Sequence, residues 1–426
     1  MPEAPVKVEA ALPNPVEVAE AARVGAVRSA ALDNDVRDRV LTGLAARIRA
    51  NADRILAANA EDMRAAREAG LGAAKLQRLE LTPEKIEATA RGVEVVVDLP
   101  APVGAVTRDS VLENGLKVQK VRAPLGAILM IYEARPHVTV DAFALCFKAG
   151  NACLLKGGRE ANESNTVLEA IIHEELREHG IDPGVVQLVT TSDRNFIREL
   201  LKQEDRLDLV IPRGGERLIR FVHEHSRIPT VLHFEGVCHV YVDESADVSM
   251  ARDVILNGKL SAPATCNATE AVLVHEAVAE VIVPVLVTAL VEAGVEVRGD
   301  EAVCALAEAA VPATAADWGT EFLDLILAMK VVPDAEAAMD HIETYGSRHT
   351  EAVVAEDVAV QEAFVQRSGA SCTMVNASTR FNDGGQLGLG AEIGISTTRV
   401  HAFGPMGLEE LTTQRWVVRG SGQTRG

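Results

Sequence analysis

The chain is poor in aromatic residues and in lysine, and it carries no nucleotide-binding fingerprint. Aromatic side chains make up 3% of its 426 residues, so the core must be built from Ala, Val, Leu and Ile. Of 42 basic residues only ten are lysine, and 62 acidic residues leave a formal net charge of −20. That balance argues against general binding to nucleic acid or to an anionic membrane surface, though not against a local site for a small anion. No apolar run approaches the roughly 20 residues a bilayer requires; the richest, 271–291, is broken by His275, Glu276, Glu280 and Pro284. The first residues lack the basic start and apolar stretch of an export signal. Six dispersed cysteines (Cys146, Cys153, Cys238, Cys266, Cys304 and Cys372) never form CxxC, which reads as reduced thiols rather than a disulfide scaffold. These absences together suggest a soluble, cytoplasmic protein with neither a membrane nor a nucleic-acid partner.

What is present is a foldable chain, 48% hydrophobic and 24% charged, long enough for two or three domains. Residues 1 to about 15 contain four prolines and read as a loose arm. From Val16 to about Arg91, apolar positions such as Val40, Leu44, Ile48 and Ile55 recur at three- and four-residue steps and predict packed helices. Asp109–Arg122 alternates around Asn114-Gly115, the pattern of a β-hairpin. Beyond Pro124, short apolar runs alternate with amphipathic stretches. Strands are expected at 127–132, 152–155, 185–189, 207–211 and 230–234, with helices between them. From Val237 a second set begins, with strands expected near 239–242, 270–274, 325–332, 352–355 and 372–376. Such alternation predicts an α/β fold of right-handed βαβ units in mostly parallel sheets.

Two turns at predicted strand ends invite an anionic ligand. One is Arg213-Gly214-Gly215 before a helix, where bare backbone and a helix N-terminus favour negative charge. The other is Lys156-Gly157-Gly158, which sets a cation beside flexible backbone. Neither GxGxxG nor GxxxxGKS/T occurs, so a dinucleotide would not be held by the usual grip. Cys266 stands apart from the other cysteines, between Thr265 and Asn267 in a Pro-containing loop, where a nucleophilic thiol could be reached. An inert thiol is the competing reading. Arg135 and Arg380 lie at predicted strand ends and could grip a carboxylate or phosphate. The cluster His223, His225, His233, Glu235, Cys238 and His239 suggests zinc by content, but its spacing puts neighbouring residues on different faces, and no metal site is expected.

The same residues resemble a known family. Ile131–Pro136 (IYEARP), Asn151–Gly158 (NACLLKGG), Ile211–Gly215 (IPRGG), Cys238–Asp243 (CHVYVD), Asp317–Asp324 (DWGTEFLD), Val375–Phe381 (VNASTRF), Gly390–Ser396 (GAEIGIS) and Gly404–Leu411 (GPMGLEEL) are similar to the gamma-glutamyl phosphate reductase family of the aldehyde dehydrogenase superfamily. The resemblance runs from about Ala19 to Val418. It implies two Rossmann-type parallel-sheet domains plus a β-hairpin oligomerisation element. Residues 1–106 and 123–236 would form the cofactor-binding domain, and 237–400 the catalytic domain with its nucleophilic cysteine. Residues 107–122 and 414–426 would form the oligomerisation element, and 401–413 a helix returning to the cofactor domain.

The activity implied is NADPH-dependent reduction of glutamyl phosphate to glutamate 5-semialdehyde in proline biosynthesis. Cys266 would be the nucleophile. Lys156, Gly157, Gly158, Arg213, Gly214, Gly215, Glu321 and Phe322 would hold the cofactor, and Arg135, Asn376, Ser378 and Arg380 the substrate. Two departures stand out: Ala134 replaces the superfamily's oxyanion asparagine, and the general base is matched only loosely, by Glu235 or His233. A homodimer or homotetramer and contact with a glutamate kinase are further expectations. Another thiol-dependent aldehyde dehydrogenase, acylating or hydrolytic, is the nearest alternative.

Overall fold

The computed structural model describes residues 14–232 and 235–425; the expected N-terminal arm at 1–13 and the base candidate His233 lie outside them. In chain order the helices α1 (Pro15–Ala30), α2 (Asn34–Ala50), α3 (Ala52–Glu68), α4 (Ala73–Leu79) and α5 (Pro83–Asp98) come first. Then follow β1 (Val106–Val111), β2 (Lys117–Pro124), β3 (Ala127–Tyr132), α6 (Val138–Lys148), β4 (Ala152–Lys156), α7 (Asn162–Glu178), β5 (Val186–Leu188), α8 (Arg194–Leu200), β6 (Leu209–Arg213) and α9 (Glu216–His225). The next set is β7 (Cys238–Val242), α10 (Val248–Leu260), β8 (Thr269–His275), α11 (Glu276–Glu292), β9 (Glu296–Gly299), α12 (Glu301–Leu306), β10 (Val311–Pro312) and β11 (Ile326–Val332). Last come α13 (Ala335–Tyr345), β12 (Thr350–Val354), α14 (Val358–Arg367), β13 (Cys372–Val375), β14 (Ile395–Ser396), β15 (Gly404–Pro405) and β16 (Thr412–Arg419).

The chain divides into two compact units, one through Thr230 together with Leu408 onward, the other Val231–Gly407. Local chemistry sets the helix starts. Asn14 accepts the Val16 N–H at 2.9 Å with Pro15 following it, and Asp247 accepts the Met250 N–H at 2.8 Å; each satisfies an otherwise unpaired donor.

In the first unit a parallel sheet has the order β5-β4-β3-β6. Its apolar layer joins Leu129, Ile131, Leu154 and Val210 to Leu200 and Val222 from the flanking helices. The expected hairpin forms: β1 and β2 pair antiparallel, Gly115 takes φ 85°, and β16 joins the other edge of β2, opposing Trp416 to Lys120. In the second unit seven strands run parallel in the order β10-β9-β11-β8-β7-β12-β13. Alternate residues serve its two faces: Val240, Val272, Leu286 and Leu327 on one, Tyr241, Leu273, Val353 and Phe364 on the other. A sheet covered on both sides requires the continuous apolar runs seen in these strands.

Two expected elements do not form. Of the strand expected at 230–234, residues 233 and 234 lie outside the described residues and 230–232 make no strand; Thr230 contributes a single bridge to Val210, at the point where the chain passes from one unit to the next. Residues 401–413 make no helix. Gly404 sits at φ 103° and pairs with Ser396, and Pro405, opposite Ile395, has no N–H to donate. Among the described residues no helix is long and apolar enough to cross a membrane.

Candidate active site

In the first unit, the adjacent strands β4, β3 and β6 carry at their carboxyl ends most of the residues singled out for anion binding. Lys156 ends β4 and is 8% exposed, its Nζ donating to the Gly157 carbonyl. Burial pushes its ammonium below the ordinary lysine range. A Cβ on Gly157 would lie 2.1 Å from Asn165 Nδ2, and one on Gly158 2.1 Å from Glu160 Oε1, so both glycines are needed for close packing. After β6, Gly215 caps α9 with φ −71° and ψ 166°. A Cβ on Gly214 would meet Leu218 at 2.7 Å and Glu133 at 3.0 Å, whereas one on Gly215 would meet nothing within 4 Å. Glu133 Oε2 accepts the Gly215 N–H at a long 3.4 Å. A carboxylate oxygen already rests where the helix N-terminus favours an anion.

Beyond β3, Ala134 adopts φ 42° and donates its N–H to Glu160 Oε1 at 2.7 Å. Ala134 is 2% exposed. Arg135 follows, half-buried. Burial, and then the cations Arg135, Lys85 and Arg213, push the His137 imidazole down to about 4. In a protein of net charge −20, this edge is locally positive.

In the second unit, the chemistry sits at the opposite, amino, ends of the strands. Cys266 precedes β8 and is half-buried. Its loop is fastened on both sides by Arg380: Nη1 donates to Thr265 Oγ1 at 2.9 Å and to Asn267 Oδ1, and Nε to Ser261 Oγ at 3.1 Å. Asn267 Nδ2 returns a bond to the Asn382 carbonyl at 3.0 Å. Beneath the loop, the Cys238 thiol donates to the Cys266 carbonyl at 3.2 Å; burial and then Glu351 push that thiol well above its usual range. Cys153 and Cys372 are pushed up by burial as well, which makes them poor nucleophiles. A Cβ on Gly236 would fall 1.9 Å from the Cys266 carbonyl oxygen. Only glycine lets this segment lie so close.

The Gly236 N–H donates at 2.9 Å to Glu321 Oε1, tying the glutamate expected to hold a cofactor ribose to the segment under Cys266. Burial raises the Glu321 carboxyl, and the nearby Glu235 adds to the shift. Phe322 is half-buried, with the Arg298 guanidinium 5.2 Å from its ring centre. Glu235 is exposed.

Two substrate candidates prove to be occupied structurally. The Asn376 amide spans Ala355, accepting its N–H and donating to its carbonyl, each at 2.9 Å. It sits at the carboxyl ends of β12 and β13, the far end of the sheet from Cys266. Ser378 is 4% exposed and accepts the Arg380 N–H at 3.3 Å, so it orients Arg380. Sequence reasoning missed Gly236, Glu133 and Glu160. No signal in the sequence pairs Gly236 with a loop thirty residues away. Among the described residues no three His, Cys, Asp or Glu converge as metal ligands; His223 and His225 belong to the first unit, and His239, wholly buried, to the second.

In the first unit, the glycine cradle before α9 and the buried Lys156 suit the phosphates of an anionic dinucleotide. Comparison with known proteins agrees. The aldehyde dehydrogenase family matches residues 7–309. A gamma-glutamyl phosphate reductase of Xylella fastidiosa (strain 9a5c) is 51% identical over 408 residues, 96% of this chain and 98% of that protein. Another, from Desulfatibacillum aliphaticivorans, is 50% identical over 410 residues, with the same coverages of 96% and 98%. The crystal structure of gamma-glutamyl phosphate reductase from Thermotoga maritima matches with a TM-score of 0.95 at 41% identity, over 97% of this chain and 100% of that one. An acetylating aldehyde dehydrogenase from Geobacillus thermoglucosidasius, 19% identical with a TM-score of 0.67 over 97% of each chain, shares the fold. With a half-buried cysteine loop fastened by arginine and relatives matched over nearly their full length, the chain belongs to the aldehyde dehydrogenase family and, within it, to the gamma-glutamyl phosphate reductases.

Proposed function

We propose that this chain reduces L-glutamate 5-phosphate to L-glutamate 5-semialdehyde with release of phosphate, using NADPH, in L-proline biosynthesis. The observation that carries this reading is the Cys266 loop, locked by Arg380 at the residues on either side, in a chain so closely related to reductases of that name. The Cys266 thiolate attacks the acyl carbon, a C–S bond forms, the C–O bond to phosphate breaks, and a thioester remains. The Cys266 backbone N–H is the donor proposed for the transient oxyanion, since Ala134 has no side-chain donor. Arg380 supplies fixed positive charge beside Cys266 for the substrate's phosphate or carboxylate, and Arg135 is the other arginine assigned to the substrate. Phosphate is a good leaving group and no water needs activation, so no dedicated base is required; the exposure of Glu235 fits that.

Lys156 and the Gly157-Gly158 turn would face the adenosine ribose and its 2′-phosphate, Arg213, Gly214 and Gly215 the pyrophosphate, and Glu321 with Phe322 the nicotinamide end. The nicotinamide, when bound, would supply hydride to the acyl carbon of the thioester held on Cys266. Cys266 then leaves as thiolate when that adduct collapses to the aldehyde. The exposed faces of β1 and β16 support a homodimer or homotetramer in the cytoplasm, and the lability of an acyl phosphate favours contact with a glutamate kinase.

The test is the reverse reaction. Glutamate semialdehyde should reduce NADP only when phosphate is present, and Cys266→Ser should abolish it. Phosphate-independent turnover to free glutamate would overturn the reading in favour of a hydrolytic dehydrogenase.

A further inference from the structure

A buried ion pair lies just behind this machinery. Lys259 Nζ donates to Glu270 Oε2 at 2.6 Å, and both side chains are fully buried. Isolated pairs of this kind are poor sources of stability, because desolvation offsets the attraction. The second oxygen suggests another use. Glu270 Oε1 accepts the Leu323 backbone N–H at 3.3 Å. Leu323 sits at φ 54°, a left-handed conformation that costs a branched residue on the order of 1–3 kcal/mol and persists only where neighbours impose it. It directly follows Glu321 and Phe322, and Glu321 in turn holds the Gly236 N–H under Cys266. Two bonds therefore fix this short turn, one at Glu321 and one at Leu323.

We propose that Lys259 and Glu270 are positioning residues: the pair presents a carboxylate oxygen that holds the turn at Leu323, and so aims Glu321 at the cofactor ribose. Lysine orients the Glu270 carboxyl, and Glu270 holds the strained turn. Neither residue touches the reacting atoms. The proposal rests on the assignment of Glu321 to the cofactor.

Paired substitutions test it. Lys259→Gln with Glu270→Gln removes both charges, lets the two amides bond each other, and keeps an oxygen for the Leu323 N–H. Lys259→Met with Glu270→Leu also removes both charges but leaves no acceptor. NADPH affinity, read by fluorescence titration, is expected to stay within about threefold of wild type in the amide pair. In the apolar pair it should weaken by about tenfold or more, with KM for NADPH rising far more than kcat falls and the Cys266 alkylation rate unchanged. Equal NADPH affinity in the two pairs, with both folded, would overturn the proposal. If the apolar pair does not fold, Glu270→Gln alone decides: melting temperature should drop while affinity holds, and a parallel loss of affinity would count against positioning. Glu321→Ala separates this from the underlying reading. If it binds NADPH like wild type, the assignment of Glu321 fails and the proposal with it. If only Glu321→Ala binds weakly and the apolar pair does not, the positioning idea alone is wrong.

Discussion

The two units use the same kind of sheet from opposite ends. In the first, the residues proposed to bind the cofactor follow the carboxyl ends of β3, β4 and β6; in the second, Gly236, Cys266 and Glu321 precede the amino ends of β7, β8 and β11. In a parallel α/β sheet the carboxyl edge meets helix N-termini, whose backbone N–H groups and dipoles attract anions unaided. The amino edge meets helix C-termini, which repel them. Cys266 follows the end of α10, on this amino edge. Arg380 brings positive charge to the Cys266 loop, and side-chain bonds replace the bare turns of the first unit. A site at the favourable edge can be built from glycine; one at the unfavourable edge needs a scaffold of polar side chains.

Glycine substitutions probe that contrast directly. Gly236→Ala would drive a methyl group to 1.9 Å from the Cys266 carbonyl, and displacing the nucleophile by about an ångström is expected to cost on the order of a hundredfold in kcat. Steady-state kinetics with unchanged NADPH affinity would support this; retained kcat would show that the loop tolerates movement. Gly214→Ala would meet Leu218 and Glu133, and about 1–3 kcal/mol of overpacking should appear as roughly a tenfold rise in KM for NADPH with kcat little changed. Gly215→Ala, whose Cβ meets nothing and whose φ is ordinary, should leave both constants within about twofold. A large effect there would mean that the bound pyrophosphate needs the space itself.

Acid stability tests the positive edge. His137 titrates near 4 in the folded protein, against 6.5 ordinarily. The unfolded chain therefore takes up a proton first, and stability present above pH 6.5 is lost as pH falls towards 4. The upper limit is about 3 kcal/mol. Urea midpoints measured across that window should fall less steeply for His137→Asn than for wild type, and identical slopes would remove His137 from the account. Saturating phosphate should raise the His137 pKa if the anion enters among Arg135, Lys85 and Arg213, a shift that NMR titration would read.

Much of this was legible in the sequence. Most strands and helices follow from periodicity: the expected strand 127–132 forms with those bounds, and helices fill the intervals between strands as expected. The errors fall where pattern and tertiary context part. Residues 230–232 have a strand's composition but leave the sheet after one bridge, and 401–413 is governed by Gly404 and Pro405. The side chains of Asn376 and Ser378, expected at the substrate, hydrogen-bond Ala355 and the Arg380 backbone. A motif shows that a residue matters, not which partner its hydrogen bonds will find.

By itself the sequence determined the alternation of strands and helices, the hairpin at Asn114-Gly115 and the glycine turn before α9. These depend on local propensity and on short-range periodicity, which neighbouring residues encode. Only the tertiary structure decided that Gly236 lies under Cys266, that Arg380 clasps its loop, and that Lys259 and Glu270 reach the turn at Leu323. Those contacts join residues tens to over a hundred positions apart, and their strength comes from burial that exists only once both sheet faces are covered.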